Sequence, residues 1–248
     1  MTALSTTVLS NPNNSNAARL QALVTRKSDT DSLFEITDPE WIKWYTNHFE
    51  RTWEHQNKQA EITTIYGVHR DKRAALVEQM GKRNQAGVTA YTIKDHASVK
   101  NKIYYHGTQR ACKIGEKTKT LCTKDECHLC HILRESFRLE HANPRGMFGP
   151  GIYSTPNSSK ADSYAKNHRI HSHQHAIIVC TVVKGERERL FQADSTRTAP
   201  TPGFDSVEGV VRNLGGALNY SETVVYREDA IIPRAVIIYT RKGWAPGC

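Results

Sequence analysis

The chain has 248 residues, a formal net charge of +9 and 38% apolar residues, which is enough to build one large domain around a hydrophobic core. No stretch approaches the roughly 18 to 20 apolar residues of a membrane helix. Residues 1–15 have neither the basic start nor the continuous apolar core of a signal peptide. These features exclude membrane-spanning, collagen-like and wholly disordered proteins. We expect a monomer of the cytoplasm or nucleus with no membrane partner.

The positive charge is concentrated in the second part of the chain. Residues 101–248 contain 21 basic and 14 acidic side chains, whereas residues 1–100 contain 13 and 11. A basic region attracts anions such as nucleic acid, nucleotide phosphates or acidic proteins. The same excess of positive charge also increases solubility. The charge alone therefore does not decide between binding of an anionic partner and a role in solubility.

Residues 1–31 are predicted to form a flexible tail, residues 32–242 a single domain, and residues 243–248 a second short tail. The domain begins with a helix signal at Asp38-Pro39-Glu40, which combines an N-cap acceptor, a proline in the first turn and an acidic side chain near the positive end of the helix dipole. Apolar residues then recur at four-residue intervals and predict one buried helix face: Trp41, Tyr45, Phe49 and Trp53.

The remaining elements alternate between short strands and helices. In chain order they are a strand at 61–68, helix 72–82, strand 102–105, helix 127–137, a glycine turn entering a strand at 148–153, helix 159–166, and strands at 176–183, 223–226 and 235–240. Short strands, with helices mainly in the first half of the chain, predict an α+β fold with an antiparallel core.

Four of the six cysteines lie within nineteen residues: Cys112, Cys122, Cys127 and Cys130. Without an export signal we expect reduced thiols or metal ligands and no disulfides. A C-x2-C pair with two further thiols fits a tetrahedral structural zinc site, and free thiols are the alternative. The cysteines lie in an insertion, residues 109–146, which we expect to be polar, without a core of its own and ordered by the metal.

Four further segments, taken together in chain order, carry the motif for function. Tyr105-His106-Gly107-Thr108 ends a predicted strand, and residues 148–153 form the turn Phe-Gly-Pro-Gly-Ile-Tyr. Ser159-Lys160 precedes Tyr164, and Glu222 begins the strand Glu-Thr-Val-Val-Tyr. Each alone is a weak signal, because a strand histidine or a strand-end glutamate is common in any fold.

In this order the segments resemble the catalytic domain of the poly(ADP-ribose) polymerase (PARP) family, the diphtheria-toxin-like ADP-ribosyltransferases with a His-Tyr-Glu triad. The resemblance extends from about Phe34 to Tyr239. It implies an ADP-ribosyltransferase fold with a split antiparallel β-sheet core, interrupted here by the cysteine-rich insertion. Where the family often has a serine directly after the lysine of the Ser-Lys pair, this sequence has Ala161.

The resemblance implies NAD+ as the co-substrate and assigns residues to its pocket. His106 corresponds to the residue that bonds the adenosine ribose, and the backbone of Gly107 to the group that holds the nicotinamide amide. Thr108 and Ser159 belong to the same two motifs and are expected to contact NAD. The catalytic triad is accordingly His106, Tyr153 and Glu222.

The residue types suit this chemistry. Nicotinamide is a flat aromatic cation, so the rings of Tyr153 and Tyr164 can stack on its two faces. Cleavage of the nicotinamide–ribose bond builds positive charge on the ribose. A carboxylate beside that ribose, Glu222, stabilises the transition state more than the ground state.

The sequence therefore predicts an enzyme that transfers ADP-ribose from NAD+ to a macromolecular acceptor, either protein or nucleic acid. Two alternatives stay open at this point. One is an NAD glycohydrolase, in which water is the acceptor. The other is a non-catalytic module that binds NAD or nucleic acid and has a zinc-stabilised insertion.

Overall fold

A computed structural model describes residues 33–56, 58–68 and 103–243. The predicted N-terminal tail, the helix predicted at 72–82 and all but the first residue of the predicted C-terminal tail lie outside these residues. Within them, no helix combines the length and the apolar character needed to cross a bilayer.

The first helix, α1 (Pro39–Arg51), begins as its sequence predicts. The Asp38 carboxylate accepts a hydrogen bond from the Glu40 amide at 2.9 Å, and Pro39 occupies the first turn. Phe49 is fully buried on the inner face of α1 and contacts two tyrosines of the sheet, with ring centroids 6.1 Å from Tyr105 and 5.4 Å from Tyr239. Aromatic burial thus fixes α1 against the sheet.

Three β-sheets form the core of the described residues. The largest has five antiparallel strands in the spatial order β1 (Phe34–Glu35), β2 (Gln59–Gly67), β11 (Ile231–Lys242), β7 (Gln174–Val182) and β3 (Tyr104–Gly107). The second has four strands in the order β5 (Ile152–Ser154), β10 (Glu222–Val225), β9 (Ser206–Gly209) and β8 (Arg187–Leu190). The third pairs β4 (Gln109–Arg110) with β6 (Lys166–Asn167).

Most of the strand pairs are antiparallel, the exceptions being β8 with β9 and β4 with β6. The long central strands β7 and β11 are rich in Ile and Val and buried along nearly their whole length, because helices and the insertion cover the sheet. The α+β class with a largely antiparallel core is therefore confirmed, and the longest described helix lies in the first half of the chain.

The described residues also contain two shorter α-helices, α2 (His128–Glu135) and α3 (Ser158–Asp162). Three single 3-10 turns complete the described elements: Leu139–His141, Arg212–Leu214 and Glu228–Ala230. α3 is shorter than the predicted helix at 159–166, because the chain leaves it to pair with β4. The Lys166 amide donates to the Thr108 carbonyl oxygen at 3.3 Å, a bond that a continued helix would prevent.

The expectation of a polar insertion was wrong, although the insertion has no core separate from that of the domain. The insertion contributes five large, buried apolar side chains to the core on one face of the five-stranded sheet: Ile114, Leu121, Leu129, Leu133 and Phe137. The contact with the sheet is close, since a Cβ on Gly115 would lie 2.6 Å from Ile238 Cγ1. The insertion is therefore part of the domain core as well as the carrier of the cysteines.

Candidate active site and cysteine cluster

His106 lies on β3, at the edge of the five-stranded sheet. Its Nδ1 is 2.8 Å from the carbonyl oxygen of Tyr153. Because a carbonyl only accepts, Nδ1 carries the proton and Nε2 is the nitrogen with a free lone pair. Burial lowers the pKa of His106 despite this hydrogen bond, so the ring is neutral at pH 7. Phe137, from the insertion, packs edge-on against it with centroids 5.0 Å apart.

Gly107 allows α3 to approach this strand end. A Cβ at Gly107 would lie 1.8 Å from the carbonyl oxygen of Ala161, so any side chain here would displace α3. The next residue, Thr108, is joined to β6 through the bond from Lys166. Glycine is thus required by close packing of the backbone at the point where the sequence predicts a backbone contact with the ligand.

Tyr153 is held in a single position by the turn that precedes it. Its hydroxyl accepts a hydrogen bond from the Phe148 amide at 2.8 Å and donates one to the Gly149 carbonyl at 2.9 Å. Gly149 has φ +74°, and a Cβ there would lie 1.8 Å from the carbonyl oxygen of Arg197. Burial, with a contribution from the Glu222 charge, raises the pKa of Tyr153 to about 12, so the phenol stays protonated.

Glu222 begins β10 and is only 6% exposed. Its Oε1 lies 3.2 Å from Nζ of Lys160, which projects from α3. Burial opposes the charge on Lys160, but Glu222 and Tyr164 together outweigh this effect and raise the pKa of Lys160. Nζ of Lys160 also lies 5.4 Å from the ring centroid of Tyr164, which is 51% exposed. This ion pair keeps a negative charge in a largely dry site.

The sheet register brings the three triad residues together. Val224 pairs with Tyr153 across β10 and β5. Directly opposed residues share a sheet face, as do residues two apart in one strand, so Glu222 and Tyr153 project to the same side. The ring of His106 is bonded to the main chain of Tyr153. Residues separated by up to 116 positions in the sequence thereby share one site.

Ser159 has a different environment from the other predicted contacts. It is fully buried, and its hydroxyl accepts hydrogen bonds from the amides of Glu54 at 2.5 Å and His55 at 3.1 Å, just beyond α1. Contact with NAD would require this hydroxyl to share or leave those amides. The contribution of Ser159 to binding therefore stays a prediction.

The four clustered cysteines converge on one point. Their sulfur atoms all lie within 4.8 Å of one another, with Cys112 Sγ 3.6 Å from Cys130 Sγ and 3.7 Å from Cys127 Sγ. A tetrahedron with zinc–sulfur bonds of about 2.3 Å has edges of about 3.8 Å. Among the described cysteines none forms a disulfide. The donor set and its spacing fit a tetrahedral thiolate site.

The surroundings of Cys127 favour a thiolate. The Ala111 amide donates to its sulfur at 3.3 Å. Hydrogen bonding with the thiols of Cys112 and Cys130 lowers the pKa of Cys127 well below its usual value. A deprotonated sulfur is the form that binds a metal.

Sequence reasoning did not assign roles to two charged residues that the structure brings to the site. Lys160 was recognised only as part of a motif, although its position between Ser159 and Tyr164 places it beside the pocket. Arg110 gave no signal, because two residues of strand β4 are too few to show a pattern.

A sequence model of one family matches the chain, and it extends from residue 43 to residue 243. The family is described as the poly(ADP-ribose) polymerase catalytic domain. The match includes every described strand except β1, together with the triad and the cysteine cluster. The chain therefore belongs to the PARP catalytic domain family, whose members share the ADP-ribosyltransferase fold and use NAD+ as substrate.

Proposed function

We propose that this protein is a catalytically competent ADP-ribosyltransferase that cleaves the nicotinamide–ribose bond of NAD+ and transfers ADP-ribose to a macromolecular acceptor. The observation that carries the proposal is the buried Glu222 carboxylate on the same sheet face as Tyr153, whose main chain is bonded to His106. Burial of a charge is costly, so a carboxylate retained beside Tyr153 and His106 supports a role in the chemistry at this site.

NAD+ binds, in this proposal, between the strand end 106–108 and the two tyrosines. Tyr153 supplies a fixed aromatic face for the nicotinamide and Tyr164 an exposed one. The lone pair on Nε2 of His106 accepts a hydrogen bond from a ribose hydroxyl. The backbone of Gly107 holds the amide of the nicotinamide, and Thr108 lines the same pocket. Ser159 would join this pocket only by sharing its hydroxyl with the amides of Glu54 and His55.

The Glu222 carboxylate stabilises the charge that develops during the reaction. As the bond between nicotinamide nitrogen and ribose C1′ breaks, the electron pair leaves with nicotinamide and positive charge develops on the ribose. The carboxylate stabilises that charge and can accept the proton that the acceptor loses when its oxygen bonds to C1′. Lys160 holds the carboxylate in place through their ion pair.

Identification of the acceptor distinguishes a transferase from a glycohydrolase. The purified protein is incubated with NAD+ labelled in the adenine ring, in the presence of protein and, separately, of nucleic acid. Label that stays on protein or nucleic acid after denaturation identifies a transferase and its acceptor class. Free ADP-ribose as the only product identifies water as the acceptor, and no nicotinamide release identifies a non-catalytic module.

We further propose that Cys112, Cys122, Cys127 and Cys130 hold one structural zinc ion. Their sulfur spacing and the amide bonded to Cys127 support this. The metal would supply a cross-link between the start of the insertion and α2, and it would have no part in the chemistry at NAD. Reduced thiols in this arrangement favour the cytoplasm or nucleus.

A further inference from the structure

Arg110 is a buried arginine between the predicted NAD pocket and the cysteine cluster. It ends β4, two residues after Thr108 and two before Cys112, and only 1% of its surface is exposed. A buried guanidinium is costly unless its charge is neutralised and its donors are bonded. The Glu116 carboxylate neutralises it, with Oε1 3.0 Å from Nη2 of Arg110. The remaining donors show which parts of the fold this residue joins.

Those donors reach two different segments. On one side, Nη1 of Arg110 donates to the carbonyl oxygen of Ile114 at 3.2 Å, within the insertion. On the other side, the guanidinium donates to three residues at the two ends of loop 168–173, which connects β6 to β7: Asn167 Oδ1 at 3.1 Å, Ser172 Oγ at 3.1 Å and the Gln174 carbonyl. Arg110 therefore fastens the insertion to this loop.

The main chain of β4 connects this network to the predicted NAD pocket. β4 pairs in parallel with β6, and the Thr108 carbonyl accepts from the Lys166 amide at 3.3 Å. The carbonyl of Arg110 itself accepts from the His168 amide at 2.7 Å. A displacement of Arg110 consequently moves the strand end that begins at His106.

The cysteine cluster holds the residue on the other side of Arg110. The Ala111 amide donates to Cys127 Sγ at 3.3 Å, and the Ala111 carbonyl accepts from Nζ of Lys124 at 3.1 Å. Cys112 follows directly, with its sulfur 3.7 Å from that of Cys127. A metal that draws these sulfurs together fixes Ala111, and release of the sulfurs frees it.

We propose that Arg110 is a positioning residue that couples the cysteine cluster to the NAD pocket, so that a metal held by the four cysteines strengthens NAD binding. This inference rests on the proposed function. Coupling between two sites is commonly about 5- to 150-fold in affinity, and the coupling is reciprocal, so NAD also tightens retention of the metal by the same factor.

The test compares the effect of metal removal on NAD affinity in the wild type and in variants of the full chain. Calorimetry measures the NAD+ dissociation constant of zinc-loaded and chelator-treated protein for the wild type, for Arg110→Met and for Arg189→Met, an exposed arginine on β8 that serves as the matched control. We expect metal removal to weaken binding about 10-fold in the wild type and the control. In Arg110→Met, binding is already weak and metal removal changes it less than about twofold.

Milder variants cover the case in which Arg110→Met does not fold. The Ser172 hydroxyl accepts from Arg110 Nη2 at 3.1 Å and donates to Glu116 Oε1 at 2.6 Å. Ser172→Ala removes this bridge together with the bond that the Gln174 amide donates to the same oxygen at 3.0 Å, and it leaves the Arg110–Glu116 ion pair in place. We expect Ser172→Ala to reduce the effect of metal removal to about threefold. In zinc-loaded Ser172→Ala, we expect the KM for NAD+ to rise while kcat stays unchanged, a split that general destabilisation would not produce.

Three outcomes would overturn the inference, and they separate it from the proposed function. An equal loss on metal removal in wild type, Arg110→Met and Ser172→Ala overturns the coupling alone. A chain that takes up no zinc overturns the metal site and the coupling together. A zinc-loaded wild type that does not bind NAD+ overturns the proposed function and the coupling with it.

Discussion

The triad and the cysteine cluster are held together by different means. His106, Tyr153 and Glu222 lie on three strands, and main-chain pairing and the bond from the His106 ring to the Tyr153 carbonyl fix their spacing. The cysteine sulfurs come from irregular segments and the N-terminal end of α2. Their spacing is not set by pairing between β-strands. The first arrangement follows from sheet formation, whereas the second depends on what the sulfurs bind. Chemistry and stability should therefore be separable by mutation.

Glu222→Gln should have the largest effect and should affect chemistry alone. The glutamine keeps the shape of the side chain but removes the negative charge that stabilises the developing ribose cation. We expect turnover, measured as nicotinamide release at saturating NAD+, to fall by about two to three orders of magnitude with NAD affinity nearly unchanged.

Glu208→Gln is the matched control for this change. Glu208 pairs in register with Thr223 on the neighbouring strand and therefore faces the other side of the sheet, where it is paired with Arg187. Its replacement should leave turnover within about twofold of the wild type, as expected for a partly exposed ion pair. Normal nicotinamide release by Glu222→Gln would contradict the proposed role, and equal losses of binding and turnover would make Glu222 a structural residue.

Replacement of both Cys127 and Cys130 by serine should instead lower stability and, through the proposed coupling, NAD affinity by about 10-fold, with turnover at saturating NAD+ retained. These two buried residues contribute half of the thiolate set, so we expect bound zinc to fall from about one per chain to none. Loss of the cross-link should reduce the free energy of unfolding by about 2 to 4 kcal/mol. Elemental analysis and denaturant unfolding measure both quantities, and Cys180→Ser, a buried cysteine of β7 outside the cluster, is the control.

Chelator treatment of the wild type checks the same point without mutation. It should lower stability to that of the double variant and leave the double variant itself unchanged. A wild type that contains no metal, or equal stability in all three proteins, would contradict the zinc site.

Sequence reasoning succeeded where periodicity or a motif carried the information. The N-cap at Asp38 and the long apolar strands were predicted because their signals are local. The strands β8 and β9 were missed, because the alternating charges of Arg187–Leu190 do not distinguish an edge strand from a loop. The burial of the apolar residues of the insertion was not predicted, because their spacing matches neither a helix nor a strand period. Their burial depends on the sheet that they cover, and only the tertiary fold places them against it.

The site was predicted less completely than the fold. Gly107 was expected because of the ligand, yet the carbonyl of Ala161 already excludes a side chain there. Ser159 was assigned to NAD from a motif, although its hydroxyl is bonded to the backbone beyond α1. In both cases the sequence identifies an important residue, but only the packing shows which neighbouring group that residue contacts.

Substitutions of Tyr153 test the side of the nicotinamide pocket that hydrogen bonds hold in place. Tyr153→Ala removes an aromatic face and the hydroxyl that organises residues 148–149, so we expect NAD affinity to fall by about 1 to 3 kcal/mol. Tyr153→Phe keeps the ring and loses two hydrogen bonds, so it should cost about 1 kcal/mol of stability with affinity largely retained. Calorimetry and denaturant unfolding distinguish the two. Equal NAD affinity in Tyr153→Ala and the wild type would remove Tyr153 from the pocket.

Tyr164 should give the smallest effect, because about half of its surface is exposed and its ring can cover only part of the nicotinamide from water. We therefore expect Tyr164→Ala to weaken NAD binding by about 0.5 to 1.5 kcal/mol, less than the loss in Tyr153→Ala. Stability should stay unchanged, since the ring contributes little to the core. Tyr164→Phe, which keeps the aromatic face, should bind NAD+ as the wild type does. A larger loss at Tyr164 than at Tyr153 would show that the exposed ring supplies the principal face, and it would reverse the assignment of the two tyrosines.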